Sequence, residues 1–112
     1  MIIYHNTRCS KSREALDLLQ KNKCKFEIRD YLKDPPTKKE IKELHLKLKC
    51  KPQDIIRKNE SIYIDKYANK KLTASQWIAI LSKHPILIER PIIINGKKAV
   101  IGRPPNLVLD IM

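Results

Sequence analysis

No stretch of this chain stays apolar long enough to cross a membrane, and its start lacks the basic-then-apolar order of a secretory leader. Met1 leads directly into strand residues, so a cytoplasmic protein that does not enter a membrane is expected. Cysteine is scarce and odd in number. Cys9, Cys24 and Cys50 match no metal-ligand spacing, and His5, His45 and His84 are not paired with them. A disulfide framework and a structural metal are therefore not expected. Aromatic residues make up only 5% and do not interleave with basic ones in any nucleic-acid motif. Internal repeats, low-complexity stretches and linkers are missing as well.

What the chain has in excess is positive charge. Lysine and arginine number 24 against 12 acidic residues, for a net charge of +12. Such an excess can attract nucleic acid nonspecifically or steer anionic substrates. The plainer alternative is a solvated, lysine-rich surface, and no specific nucleic-acid partner is expected. A length of 112 residues with 42% hydrophobic content suits one domain over residues 1–112 with a modest core. A monomer is expected.

Residues 1–5 read as a short buried strand and about 11–22 as a helix with Ala15, Leu16, Leu18 and Leu19 on its apolar side. Asn22 is a reasonable stop. Lys25 to Tyr31 alternates like a second strand, making a βαβ unit whose strands are parallel. Asp34-Pro35-Pro36 breaks the chain. Thr37 with Glu40 fits a capping box ahead of a helix carrying Ile41, Leu44, His45 and Leu48 inward. Pro52 opens a short helical segment over Gln53 to Arg57. Asn59 to Lys71 shows no clear period, with Tyr63 and Tyr67 as anchors. Thr73 starts another helix, with Trp77, Ile78, Ile80 and Leu81 near its buried face, which stops at His84-Pro85. Pro91–Ile94 and Lys98–Ile101 flank Asn95-Gly96, a hairpin signal. Pro104 and Pro105 open a last short helix with Leu107, Val108 and Ile111 facing inward. This order predicts an α/β fold: a thioredoxin-like (glutaredoxin-like) mixed four-stranded sheet with a helical insertion.

Cys9 stands at the seam between the first strand and the first helix. There its sulfur lies near unpaired backbone N–H groups, which favour thiolate over thiol. Arg8, Lys11 and Arg13 add positive charge within one turn. A thiolate is the nucleophile that thiol chemistry needs. The bland alternative is a small buried cysteine that caps a core.

The runs HNTRCSKSR, YLKDPPT, DIIRKNE, HPILIERPIII and GRPPNLVLDI, in this order, resemble the glutaredoxin-coupled arsenate reductase family over about residues 2–111. The resemblance implies that Cys9 is the nucleophile and that Arg57, Arg90 and Arg103 bind the oxyanion. Arginine suits that role, because a guanidinium donates paired hydrogen bonds to tetrahedral oxyanions and keeps its charge. The fold it implies sets a cis proline at Pro91, opposite the cysteine. His5, Asn6, Ser12 and Arg13 are supporting candidates. His5 is either a tuner of the thiolate or a structural residue. Ser12 either caps the helix or donates to the thiolate, and Arg13 is either a surface residue or a substrate contact.

By that resemblance the reaction is reduction of arsenate, or a related oxyanion, to arsenite. Glutathione serves as co-substrate, glutaredoxin as electron partner, and no cofactor is bound. Cys24 and Cys50 lack the spacing of a local resolving thiol. Two further readings stand beside it. One is a redox-linked regulator of the Spx type that binds RNA polymerase, against which Ser12 counts, because it occupies the second place of the C-x-x-C pair such proteins use. The other is a glutathione-dependent thiol oxidoreductase with another substrate.

Overall fold

The computed structural model describes residues 1–111. These fall into two compact units: Met1–Asp34 with the chain from Arg90 onward, and Pro35–Glu89. No helix among the described residues is long and apolar enough to cross a membrane.

The first unit is built on strands β1 (Ile2–Tyr4), β2 (Glu27–Arg29), β3 (Ile92–Asn95) and β4 (Lys98–Ile101), in the order β2-β1-β3-β4. β1 pairs parallel with β2 and antiparallel with β3, and β3 pairs antiparallel with β4. The mixed sheet and its βαβ start match the expectation. The crossover is helix α1 (Ser10–Lys21). Its buried positions Ser12, Ala15 and Leu19 recur at helical spacing, and Ala15 and Leu19 pack with Ile3, Ile93 and Val108 into the core. Val108 comes from a 3₁₀ helix, Pro105–Ile111.

Two details differ from the sequence pattern. β2 is shorter than Lys25–Tyr31, because this edge strand pairs only with the three residues of β1. Ile28 in it is 54% exposed, whereas Tyr31, beyond its end, is fully buried. The hairpin turn is shifted by one residue. Asn95 pairs with Lys98, so Gly96 and Lys97 form the loop. Gly96 has φ +62° and Lys97 does not share the positive sign, which is the pattern of a type II′ turn. Asn95 is held in the strand by its side-chain amide, which donates to the Ile111 carbonyl.

The second unit contains α2 (Lys38–Lys47), a 3₁₀ turn (Pro52–Ile55), α3 (Ser61–Lys66), α4 (Ala74–Lys83) and a second 3₁₀ turn (Pro85–Leu87). Thr37 and Glu40 form the expected capping box, and Thr73 with Gln76 forms another. Ile41 and Leu44 of α2 and Trp77, Ile78 and Leu81 of α4 are buried. Leu48, His45 and Ile80 are only half-buried. The segment without a clear period holds the single short helix α3, whose Tyr63, together with Tyr67 just after it, packs against Trp77 at ring distances of 6.4 Å.

Candidate active site

Cys9 is the N-cap of α1, with extended backbone angles (φ −98°, ψ 121°) and 7% exposure. Its own N–H donates to the Asn6 carbonyl at 3.0 Å, and its carbonyl accepts from the Arg13 N–H at 3.1 Å. The sulfur therefore faces the free N–H groups of the first helical turn.

Burial alone would push the Cys9 thiol up. It is outweighed by hydrogen bonding from the Ser12 backbone N–H, by donation from and charge on Arg90, and by the Lys11 N–H. The balance falls below the ordinary thiol value, toward thiolate. Arg103 adds a contact, with Nη2 at 3.5 Å from the sulfur. The cations at Cys9 are thus Arg90 and Arg103, not the neighbouring Arg8, Lys11 and Arg13. Lys11 pairs instead with Glu14 at 3.5 Å, and the charge of Arg13 is felt at His5.

Two connections hold these arginines. Arg90 precedes Pro91 across a cis peptide bond, as expected, and Arg103 precedes Pro104 across a second cis bond that the sequence did not announce. The Arg103 Nε donates to the Arg90 carbonyl, so one guanidinium is tied to the backbone of the other arginine. With Nε committed there, the Nη groups of Arg103 are the ones turned to the sulfur.

The Ser12 hydroxyl neither caps α1 nor is directed at the thiolate. Fully buried, it accepts from the Asn6 N–H at 3.0 Å and lies 2.6 Å from His5 Nδ1. Burial lowers the pKa of His5, Asp30 works against that and Arg13 assists it, so the imidazole is neutral at pH 7. Assigning the ring proton to Nε2 lets Nδ1 accept the Ser12 hydroxyl proton, which uses every group in the trio. Asn6 also accepts the Arg8 N–H on its side-chain oxygen, at 3.0 Å. His5, Asn6 and Ser12 therefore hold the cysteine loop in shape.

Arg57 lies in the second unit. Its Nη1 donates to Glu60 Oε1 at 2.7 Å and its Nε stands 3.7 Å from Glu89 Oε1. Its backbone N–H donates to the Leu87 carbonyl at 2.8 Å, beside the Ile56–Ile88 bridge.

One neighbour of the site was missed. Tyr31 is fully buried and stacks on Tyr4 at 6.2 Å, with its hydroxyl against Arg90 and Asn6. Burial raises its pKa while Arg90 opposes the rise, so the phenol stays protonated. Tyr31 opens the YLKDPPT run, at the end of the alternation that predicts a second strand. Among the described residues no group of three His, Cys, Asp or Glu side chains is placed to hold a metal ion.

The sequence profile of the ArsC family covers residues 4–111. The chain belongs to the ArsC family. Its relatives include an arsenate reductase of Haemophilus influenzae, 40% identical over 100% of this chain and 98% of that protein. An arsenate reductase of Escherichia coli K12 is 33% identical over 98% of this chain and 79% of its own length. In three dimensions the ArsC-family chain superposes on an arsenate reductase of Vibrio cholerae with a TM-score of 0.95 at 36% identity, covering 99% of this chain and 96% of the other. The thioredoxin-like fold is thereby established.

Proposed function

We propose that this protein reduces arsenate to arsenite, with Cys9 as nucleophile and Arg90 and Arg103 as oxyanion ligands. The observation that carries the reading is one lowered thiol met by two guanidinium groups at a helix N-terminus. Both the anionic nucleophile and an anionic substrate need that positive field, so one arrangement serves attraction and activation. The relatives bearing the name arsenate reductase support the same chemistry. The resemblance of its IIRKN segment names Arg57 as well, but its guanidinium is engaged by Glu60 and Glu89, and the ligand set proposed is Arg90 and Arg103.

The Cys9 thiolate attacks arsenic(V) and one arsenate oxygen leaves as water, forming a sulfur–arsenic bond. A glutathione thiol then attacks the Cys9 sulfur. The bonding pair passes to arsenic, which departs as arsenite, and the two sulfurs join. Two electrons reach arsenic and two thiols become one disulfide. Glutaredoxin takes the glutathionyl group by thiol–disulfide exchange and restores Cys9. No second cysteine of this chain is used.

The test is arsenite formation with glutathione and glutaredoxin, run beside a parallel reaction with thioredoxin. Turnover that needs glutaredoxin and vanishes in Cys9→Ser supports the scheme. Turnover with thioredoxin alone removes the glutathione step. No turnover from a Cys9 that still reacts with glutathione disulfide points to another thiol substrate.

A further inference from the structure

The chain contains only two glycines, Gly96 and Gly102, and the fold needs them for opposite reasons. At Gly96 the backbone is left-handed but a Cβ would meet nothing within 4 Å. At Gly102 the space itself is missing. A Cβ there would lie 2.9 Å from Pro91 Cγ, 3.3 Å from Ile93 Cδ1 and 3.4 Å from Val108 Cγ2. We infer that Gly102 is a positioning residue for the cysteine site: its bare Cα lets the exit of β4 run against Pro91, closely enough to bring Arg103 and Arg90 together at Cys9.

None of the three neighbours can give way easily. Pro91 presents a ring carbon rather than a flexible chain end, and Ile93 and Val108 are fully buried in the core with Ile3, Ala15 and Leu19. Carbon atoms rest at about 3.5–4.0 Å, so the contact with Pro91 must open by roughly half an ångström or more. The Gly102 N–H donates to the Pro91 carbonyl at 2.8 Å. The next residue, Arg103, is anchored on the Arg90 carbonyl and reaches Cys9 at 3.5 Å, an ordinary separation for an N–H donor to sulfur. A displacement of that size at the adjoining residue is passed to Arg103 and lengthens its contact with the sulfur, which weakens the hold of its charge on the thiolate. The groups that face Cys9 are the Arg90 and Arg103 guanidiniums, the Tyr31 phenol and the N–H groups of Lys11 and Ser12. Of these, the shift at Gly102 acts on the arginines.

The inference rests on the proposed site but not on arsenate as its substrate, so the test uses the thiol alone. The rate of Cys9 alkylation by iodoacetamide is followed against pH in wild type, Gly102→Ala and Gly96→Ala. Gly102→Ala is expected to move the midpoint up by about half to one pH unit. Gly96→Ala, which strains a distant turn, lowers stability and leaves the midpoint in place. If Gly102→Ala does not fold, the pair Ile93→Val/Gly102→Ala removes one of the three contacts and carries the same expectation. An unmoved midpoint in the folded glycine variant, or an equal shift in Gly96→Ala, overturns the assignment. If wild type also turns arsenate over, its KM rises severalfold in Gly102→Ala. A wild type without turnover would count against the substrate and leave the role of Gly102 to the thiol titration.

Discussion

Arg57 gives its guanidinium to carboxylates, Glu60 at 2.7 Å and Glu89 at 3.7 Å, whereas Arg103 sets Nη2 at 3.5 Å from a sulfur. The residue type is the same and the consequence is not. A carboxylate is ionised at neutral pH without help, so its arginine changes stability and orientation but hardly any population. A thiol with an ordinary value of 9.0 is mostly protonated at pH 7, so a cation beside it changes how much nucleophile exists. Identical charges thus act as a clasp in one unit and as a chemical control in the other.

Removing the sulfur erases the control side of that comparison altogether. Cys9→Ser should abolish arsenite formation while shifting thermal unfolding little, since it exchanges one small buried side chain for another. Next in size, Arg90→Ala should lower kcat/KM for arsenate by roughly 10²-fold to 10³-fold, the usual loss for a donor aimed at developing charge. It should also raise the Cys9 titration midpoint, read by thiolate absorbance, because both contributions of Arg90 lower it. A midpoint that stays put would mean that the backbone N–H groups and Arg103 set the thiol without Arg90.

On the clasp side the readout is stability. Arg57→Ala removes a cation from two part-buried carboxylates, Glu60 and Glu89, and should cost about 1–2 kcal/mol in urea unfolding. Wild-type stability in that variant would make the clasp decorative. Thr37→Ala removes the side-chain acceptor for the Glu40 N–H and should cost about 1 kcal/mol.

The smallest effect is a pH dependence. His5 is held below its ordinary 6.5, so the unfolded chain takes up the proton first as pH falls. The stability that goes with neutral His5 is complete above 6.5 and is lost as pH falls from there toward the folded value. His84 is shifted in the same direction. Melting temperature should therefore drop between pH 7 and pH 5, and drop less in His5→Asn. Parallel curves for the two proteins would remove His5 from the account.

How much of this was legible in the sequence depends on how far apart the partners stand. The boxes at Thr37, the βαβ order and the inward faces of α1 and α4 are local patterns, and periodicity reports them. The cysteine at a strand–helix seam is local too, and so is its helix N-terminus. The length of β2 was not legible, because a partner strand sets it. Spacing alone could not pair Arg90 or Arg103 with Cys9; only the resemblance of the ERPI and GRPP segments named them. The places of Tyr31 and Gly102 at the site were not legible for the same reason. Burial makes the one a neighbour of Arg90, and a missing side chain makes the other a place of close approach; neither leaves a periodic trace.

Cys9 and Arg103 are 94 residues apart in the chain and 3.5 Å apart in the fold. During synthesis, at about 5–20 residues per second, the cysteine leaves the ribosome several seconds before either arginine exists. Through that interval the sulfur has at most the help of its own helix and behaves more nearly as an ordinary thiol, slow to react with disulfides or electrophiles. Reactivity arrives with Arg90 and Arg103, so a polypeptide that has not yet reached them carries its nucleophile in a less reactive form.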